Sequence, residues 1–183
     1  MEFTLNKAEQ TYCLNIARDA IQCKLNNFLI PPLSDLYPNL QKVQGIFVTL
    51  TLAGRLRGCI GNIIGQHPLH IGIQKMALQA AFHDPRFIPL SVNEFNNIHI
   101  EISVLSPLFD INYKDVVLGK HGLLITYNYS SGVFLPQVPI EQNWSETEYL
   151  EGLCNKAGLP KKSYLNEDCK LQAFTAFVFG DDK

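Results

Sequence analysis

The residues with most chemical potential stand in a few short stretches. Arg57-Gly58-Cys59-Ile60-Gly61 is the most unusual. Glycine weakens an extended segment, so two glycines around a cysteine mark a bulge or a close approach by another backbone or a ligand. A cation such as Arg57 beside Cys59 would favour the nucleophilic thiolate. Cys59 could then attack an electrophile, with His83 as the base. A packed role is equally physical, because free cysteine is among the most buried residue types.

His83-Asp84-Pro85-Arg86-Phe87 is the second stretch. It reads as a loop straight after a helix, where rigid scaffolds often present functional groups. A histidine there could move protons, and Arg86 could clamp a phosphate or carboxylate with two parallel N–H bonds. Alternatively, Asp84-Pro85 makes a turn and Arg86 pairs with Asp84. His99, Glu101 and Ser103 alternate along one side of a strand. Glu101 is an acid, a base or a cation ligand if that side lines a cleft, and a solvated carboxylate if it faces water. Gln137 lies in Leu135-Pro136-Gln137-Val138-Pro139. Two prolines fix an extended chain there, and a stiffly held amide could read a ligand's polar edge. His67-x-x-His70 has metal-like spacing but no third ligand nearby, so no metal is expected. His121 reads as a turn residue. Phosphate-loop, dinucleotide-binding and serine-hydrolase signatures are absent from the sequence, and no cofactor is expected.

The elements that must position these residues follow from periodicity. Asn6 with Glu9 forms a capping box for a first helix, whose stripe is Leu14, Ala17, Ile21, Leu25 and Phe28. Pro31-Pro32 ends it. Residues 45–52 and 55–62 read as a hairpin turning at Ala53-Gly54. Pro68, as a first helical residue, opens a helix to about Phe82. Ser91 with Glu94 caps a short helical turn, and Ile98 to Leu105 alternates as a strand. Gly122-Leu-Leu-Ile-Thr126 then echoes Gly45-Ile-Phe-Val-Thr49. Ser130-Ser131-Gly132 reads as a turn, Ser145 with Glu148 caps a helix through Ala157, and Leu171 to Phe179 is a final strand. Each half thus reads hairpin, helix, strand. This predicts an α+β fold with a largely antiparallel sheet, continuous or barrel-like, helices packed outside it, and a cleft where the halves join.

Bulk properties set the outer limits. The chain has 183 residues, 46% hydrophobic and 17% charged, which suits one sizeable core rather than two large independent domains. A formal net charge of -2 argues against bulk nucleic-acid binding, although a local basic pocket stays open. No apolar run reaches the roughly 20 residues of a bilayer span, and the first residues do not resemble a signal peptide. Five irregularly spaced cysteines suggest free thiols in a reducing compartment. A cytoplasmic location with no membrane contact is expected.

Several of these words occur together in one known family. Phe47-Val48-Thr49-Leu50, Leu56-Arg57-Gly58-Cys59-Ile60-Gly61, Ala80-Ala81-Phe82-His83-Asp84-Pro85-Arg86-Phe87, Glu101-Ile102-Ser103-Val104-Leu105-Ser106, Gly119-Lys120-His121-Gly122-Leu123 and Leu135-Pro136-Gln137-Val138 resemble the AMMECR-type domain. Trp144 and Lys156-Ala157-Gly158-Leu159-Pro160 extend the resemblance over nearly the whole chain. It implies a single domain over 1–183 with duplicated halves, about 45–105 and 122–179, and strands closing into a barrel-like sheet. It also implies Arg57, Cys59, Asp84, Arg86, Glu101 and Gln137 as motif residues. The position of His83 is often basic in the family, and Tyr164 stands where tryptophan is common. Short members resemble the A component of the AmmeMemoRadiSam set, whose companions are a Memo-type protein and a radical SAM protein.

Two functions remain open from the sequence. One is an enzyme or pathway component that binds a small anionic or nucleotide-like ligand. Cys59 and Glu101 would be its catalytic groups, and Arg57, Asp84, Arg86, Gln137 and His83 would hold the ligand. The other is a non-enzymatic scaffold for RNA or protein partners.

Overall fold

The computed structural model describes residues 3–33 and 37–181. The first helix, α1 (Lys7–Leu25), opens on the Asn6–Glu9 capping box, with both reciprocal bonds made. It buries Cys13, Ile16, Ala17, Ala20 and Ile21. That face is rotated from the expected stripe, and Phe28 lies outside the helix and exposed. The helix also ends before Pro31. Asn27 takes a left-handed φ of 57°, and the Phe28 amide donates to the Cys23 carbonyl at 2.8 Å. These bonds form a left-handed C-cap, so no proline is needed to stop the helix.

β1 (Ile46–Leu52) and β2 (Arg55–Asn62) form the expected hairpin. Ala53 and Gly54 both have positive φ, 50° and 74°, the backbone of a two-residue turn that matches strand twist. α2 (Leu69–Phe82) follows, with Pro68 as its N-cap rather than its first residue. α3 (Val92–Phe95) carries the Ser91–Glu94 capping box. β3 (Ile98–Leu105) buries Ile98, Ile100, Ile102 and Val104 and exposes His99 and Glu101, while Ser103 is buried.

β4 (Phe109–Asp110), β5 (Gly122–Tyr127) and β6 (Ser130–Phe134) come next. The turn between β5 and β6 lies at Asn128-Tyr129, with Asn128 at φ 51°, so Ser130-Ser131-Gly132 is strand and not turn. α4 (Val138–Glu141) and α5 (Glu146–Lys156) precede β7 (Lys170–Phe174) and β8 (Ala176–Gly180). The run expected as one final strand is therefore two. It breaks at Thr175, whose amide donates to Ser106 Oγ and whose carbonyl accepts from the Ser106 amide, both at 2.9 Å.

The strands divide into two four-stranded sheets, ordered β2-β1-β3-β8 and β4-β7-β5-β6. The barrel-like closure expected from the sequence is therefore not found among the described residues. β7 and β8 enter different sheets, so the last strand cannot join the two into one. The α+β class and the antiparallel pairing stand.

The chain divides into two compact units, residues to Leu105 with Phe177 onward, and Ser106–Ala176. In the first, α2 packs on β1 and β2, and α1 packs on α2 and β3. Their core joins Ile21, Val48, Leu50, Ile73, Ala77, Ile100 and Ile102. In the second, α5 packs on β5 and β6, over Leu123, Ile125, Tyr149, Leu153 and Ala173. Among the described residues, no helix is long and apolar enough to cross a membrane.

Candidate functional site

The site is built on β2, which lies at an edge of the first sheet. Leu50 pairs with Gly58 but Thr51 pairs with Leu56, so Arg57 is the extra residue of a bulge. A bulge re-aims the side chain it carries. Arg57 turns inward and is buried. Its Nε donates to Glu94 Oε1 at 2.7 Å, and its Nη2 donates to Glu94 Oε2 at 3.1 Å and to the Ile88 carbonyl at 3.0 Å. Ser91 donates to the same Glu94 carboxylate from its amide and hydroxyl, at 2.9 and 2.8 Å. Arg57 first, then Ser91, hold the Glu94 carboxyl down at about 2, against the upward pull of desolvation.

Gly58 meets the expectation of close approach. A Cβ there would lie 2.1 Å from the Ala80 carbonyl oxygen, so the α2 backbone runs directly against the strand. Gly61 faces Phe47, where a Cβ would lie 2.4 Å from the ring. Both glycines serve packing.

Cys59 is half-buried, and the Thr49 hydroxyl donates to its sulfur at 3.2 Å. On the open side of β2, Asp84 and Arg86 act as a side-chain substitute for a neighbouring strand. Asp84 Oδ2 accepts the Cys59 amide at 2.9 Å, and Arg86 Nη2 donates to the Cys59 carbonyl at 3.1 Å. Arg86 also donates to Asp84 through Nε and Nη2, at 2.9 and 2.7 Å, and through its amide at 3.1 Å. The Asp84 side chain is only 1% exposed, whereas that of Arg86 is 53% exposed. The Arg86 guanidinium, with the amides of Cys59 and Arg86, holds the Asp84 carboxyl well below the usual range despite burial. Both guanidiniums lie near Phe87, with Cζ 5.8 Å (Arg57) and 5.6 Å (Arg86) from the ring centroid.

The structure therefore brings Arg57, Cys59, Asp84 and Arg86 together, but as a bonded edge. His83 caps α2, its amide donating to the Gln79 carbonyl at 2.9 Å. No hydrogen bond joins its ring to Cys59 among the described residues. Arg57 is turned onto Glu94, so it does not serve Cys59 as first expected.

Glu101 is exposed on β3, on the side opposite Ile100 and Ile102, which face the core of the first unit. Thr49 pairs with Cys59 on one side and with Glu101 on the other, so Cys59, Thr49 and Glu101 form one row across three strands. Two strand spacings separate Cys59 from Glu101 by roughly 10 Å, so a direct bond between them is out of reach. Beside this row lies a recess of about 400 Å³, lined by Thr49, Thr51, Gly54, His99, Ile100, Glu101, Gly180 and Asp181. Asp181 Oδ2 accepts from Arg18 Nη2 at 2.5 Å and from the Ile100 amide at 2.9 Å. Sequence reasoning missed Thr49, Thr51 and Asp181. The alternation of β1, with Val48 and Leu50 buried, could have found the threonines.

Gln137 belongs to the second unit. It is not in extended chain. Its φ and ψ are -73° and -23°, and its carbonyl accepts from the amides of Ile140 and Glu141 at the start of α4. The short helical turn accommodates Pro139 near its start, where a missing amide costs nothing. His70 Nδ1 is 3.0 Å from the Leu40 carbonyl, and His67 Nε2 is 2.8 Å from Lys75 Nζ. His121 is buried in the second unit, where its Nδ1 accepts the Val117 amide at 3.2 Å and its carbonyl accepts the Tyr149 hydroxyl at 3.1 Å.

This is an α+β protein with two antiparallel sheets, the first edged by the Arg57–Cys59 strand and its Asp84–Arg86 clasp. The AMMECR1 family model matches residues 14–179, and the chain belongs to that family. Protein PF1979 of Pyrococcus furiosus is 38% identical, the match covering 93% of this chain and 87% of the relative. A protein of Aquifex aeolicus is 40% identical over 74% of each chain. The crystal structure of uncharacterized protein PH0010 from Pyrococcus horikoshii is similar with a TM-score of 0.87 and 36% identity, over 98% of this chain and 95% of that one.

Proposed function

We propose that this chain binds a small polar ligand on the side of its first sheet that carries the row Cys59–Thr49–Glu101, with that row as the working surface. The observation that carries this is the recess beside the row, which opens onto two threonine hydroxyls, an imidazole and two carboxylates. Glu101 would accept or move a proton of the ligand, and Cys59 would meet an electrophilic part of it. Arg57, Asp84 and Arg86 take a positioning role, because each is already paired at the strand edge. Gln137 and His83 lie outside this surface. The reading takes the chain as one domain with two internal halves, and the matching strand orders β2-β1-β3 and β6-β5-β7 support that. The resemblance to the A component of the AmmeMemoRadiSam set supports a place in a modification pathway beside Memo-type and radical SAM proteins.

The test is an amide-resolved NMR titration of the whole chain with nucleosides, nucleotides, amines and phosphates. Shifts should cluster at Thr49, Thr51, His99 and Glu101 for at least one compound. Perturbations confined to other parts of the chain, or none, would end the proposal.

A further inference from the structure

A second, much smaller space lies where the first hairpin opens, away from its turn at Ala53-Gly54. Three segments meet there. Gln44 comes just before β1, Asn62 ends β2, and His67 precedes α2. The Leu69 amide donates to the Lys42 carbonyl at 3.0 Å, and Val43 bridges to Pro68, so the segments are fastened to one another. They surround a cavity of about 10 Å³, whose walls include Gln44, Ile46, Asn62, His67 and Met76. Glycines let the walls close in. A Cβ at Gly65 would lie 2.5 Å from the Gln44 amide nitrogen, and one at Gly72 would lie 2.6 Å from Ile46 Cδ1. Gln44 Oε1 is buried and has no hydrogen-bond partner among the described residues. The neighbouring Asn62 Nδ2 reaches the weak acceptor Met76 Sδ, at 3.8 Å. A buried acceptor left unpaired is costly, so such groups nearly always bond to protein or to ordered water. One water needs roughly 10–15 Å³ of this kind of room, which the cavity just supplies. No carboxylate lines it, and Lys75 Nζ already stands 2.8 Å from Nε2 of the lining His67. A metal ion or ammonium would therefore lose its hydration there without gaining a counter-charge.

We propose that this cavity is the binding site of a single buried water molecule. The water donates to Gln44 Oε1 and bonds the Asn62 side-chain amide, which ties the start of β1 to the end of β2. Water suits the pair because it both donates and accepts, and an amide offers both kinds of partner. Its role is positional. The junction sets where α2 begins, and α2 in turn runs against β2 at Gly58, beside Cys59.

The experiment records water–protein NOE and rotating-frame NOE spectra of the isotope-labelled full chain. A long-lived water should give cross-peaks of opposite sign in the two spectra at the Gly65 amide and the Gln44 side-chain amide. Gln44→Met keeps the size of the side chain and removes the oxygen, so the Gly65 cross-peak should vanish. Gln44→Glu, which keeps an acceptor, should retain it. A cross-peak that survives Gln44→Met overturns the role of Gln44, and no long-lived water at Gly65 in the unaltered chain overturns the site. Ammonium chloride that displaces the water cross-peaks overturns it as well, in favour of a cation. A high-resolution crystal structure of the unaltered chain tests the site without any variant. It should show one water about 2.7–3.2 Å from Gln44 Oε1, and an empty cavity or a Gln44 side chain turned out to solvent overturns the proposal.

Discussion

Arg57 shows how a residue's partner, rather than its type, decides its role. Its guanidinium is consumed by Glu94 and the Ile88 carbonyl, so its charge ties α3 to β2. The sequence shows Glu94 clearly as a capping residue, because Ser91 stands three positions before it. It does not show the bond to Arg57, which is 37 positions away and depends on a bulge that re-aims the side chain. Replacing Glu94 with Gln should destabilise the protein by about 2 kcal/mol at pH 7, because a buried arginine loses its charged partner. Urea denaturation midpoints would measure it. The pH dependence has a fixed sign. Glu94 titrates lower in the folded state than in the unfolded chain, so its stabilisation is complete above about pH 4.3. It is lost as the pH falls towards the folded value of about 2, because the unfolded state takes up the proton first. The Glu94→Gln variant should therefore lose less stability than wild type over that range, and equal acid sensitivity would contradict the assignment. Asp84 acts in the same direction, held low by Arg86 and the Cys59 amide.

At the scale of elements, the hairpin and its glycines were legible because their cause is local. Two positive φ values at Ala53-Gly54 and two close approaches at Gly58 and Gly61 leave marks in residue type. The capping boxes at Asn6, Ser91 and Ser145 were legible for the same reason. The break at Thr175 was not, since hydrophobic residues continue on both sides and only Ser106, 69 positions earlier, tells where the strand leaves one sheet. Glycine substitutions separate local from packing causes. Gly54→Ala meets no atom within 4 Å but keeps a φ of 74°, so it should cost about 1–2 kcal/mol. Gly58→Ala would drive a methyl to 2.1 Å from the Ala80 carbonyl oxygen, so β2 or α2 must move. It should cost about 3 kcal/mol or more, at the upper end of overpacking. Thermal unfolding of the two variants should show the larger loss for Gly58→Ala. The reverse order would mean that α2 is free to yield.

For the molecule as a whole, the two units should respond to acid in different pH ranges, because their sensitive groups differ. In the first, Asp84 and Glu94 lose stabilising charge only below the usual carboxylate values. In the second, burial and then the nearby Lys120 depress the proton affinity of His121. The folded state thus binds fewer protons than the unfolded one, and lowering the pH favours unfolding. His121's contribution is present above about pH 6.5, the unfolded value, and is lost as the pH falls below it. The bond from the Val117 amide to Nδ1 adds to this, since protonation of that nitrogen removes the acceptor. Amide exchange corrected for intrinsic rates should show protection falling first around Val117 and in β5 and α5, between pH 7 and pH 5.5. β1, β2 and α2 should hold until below about pH 4.5. His121→Asn removes the titrating group but retains a side-chain acceptor, so it should abolish the early loss in the second unit without moving the later one in the first. Simultaneous loss across both units at one pH would contradict the separate causes, and so would an early loss that survives His121→Asn.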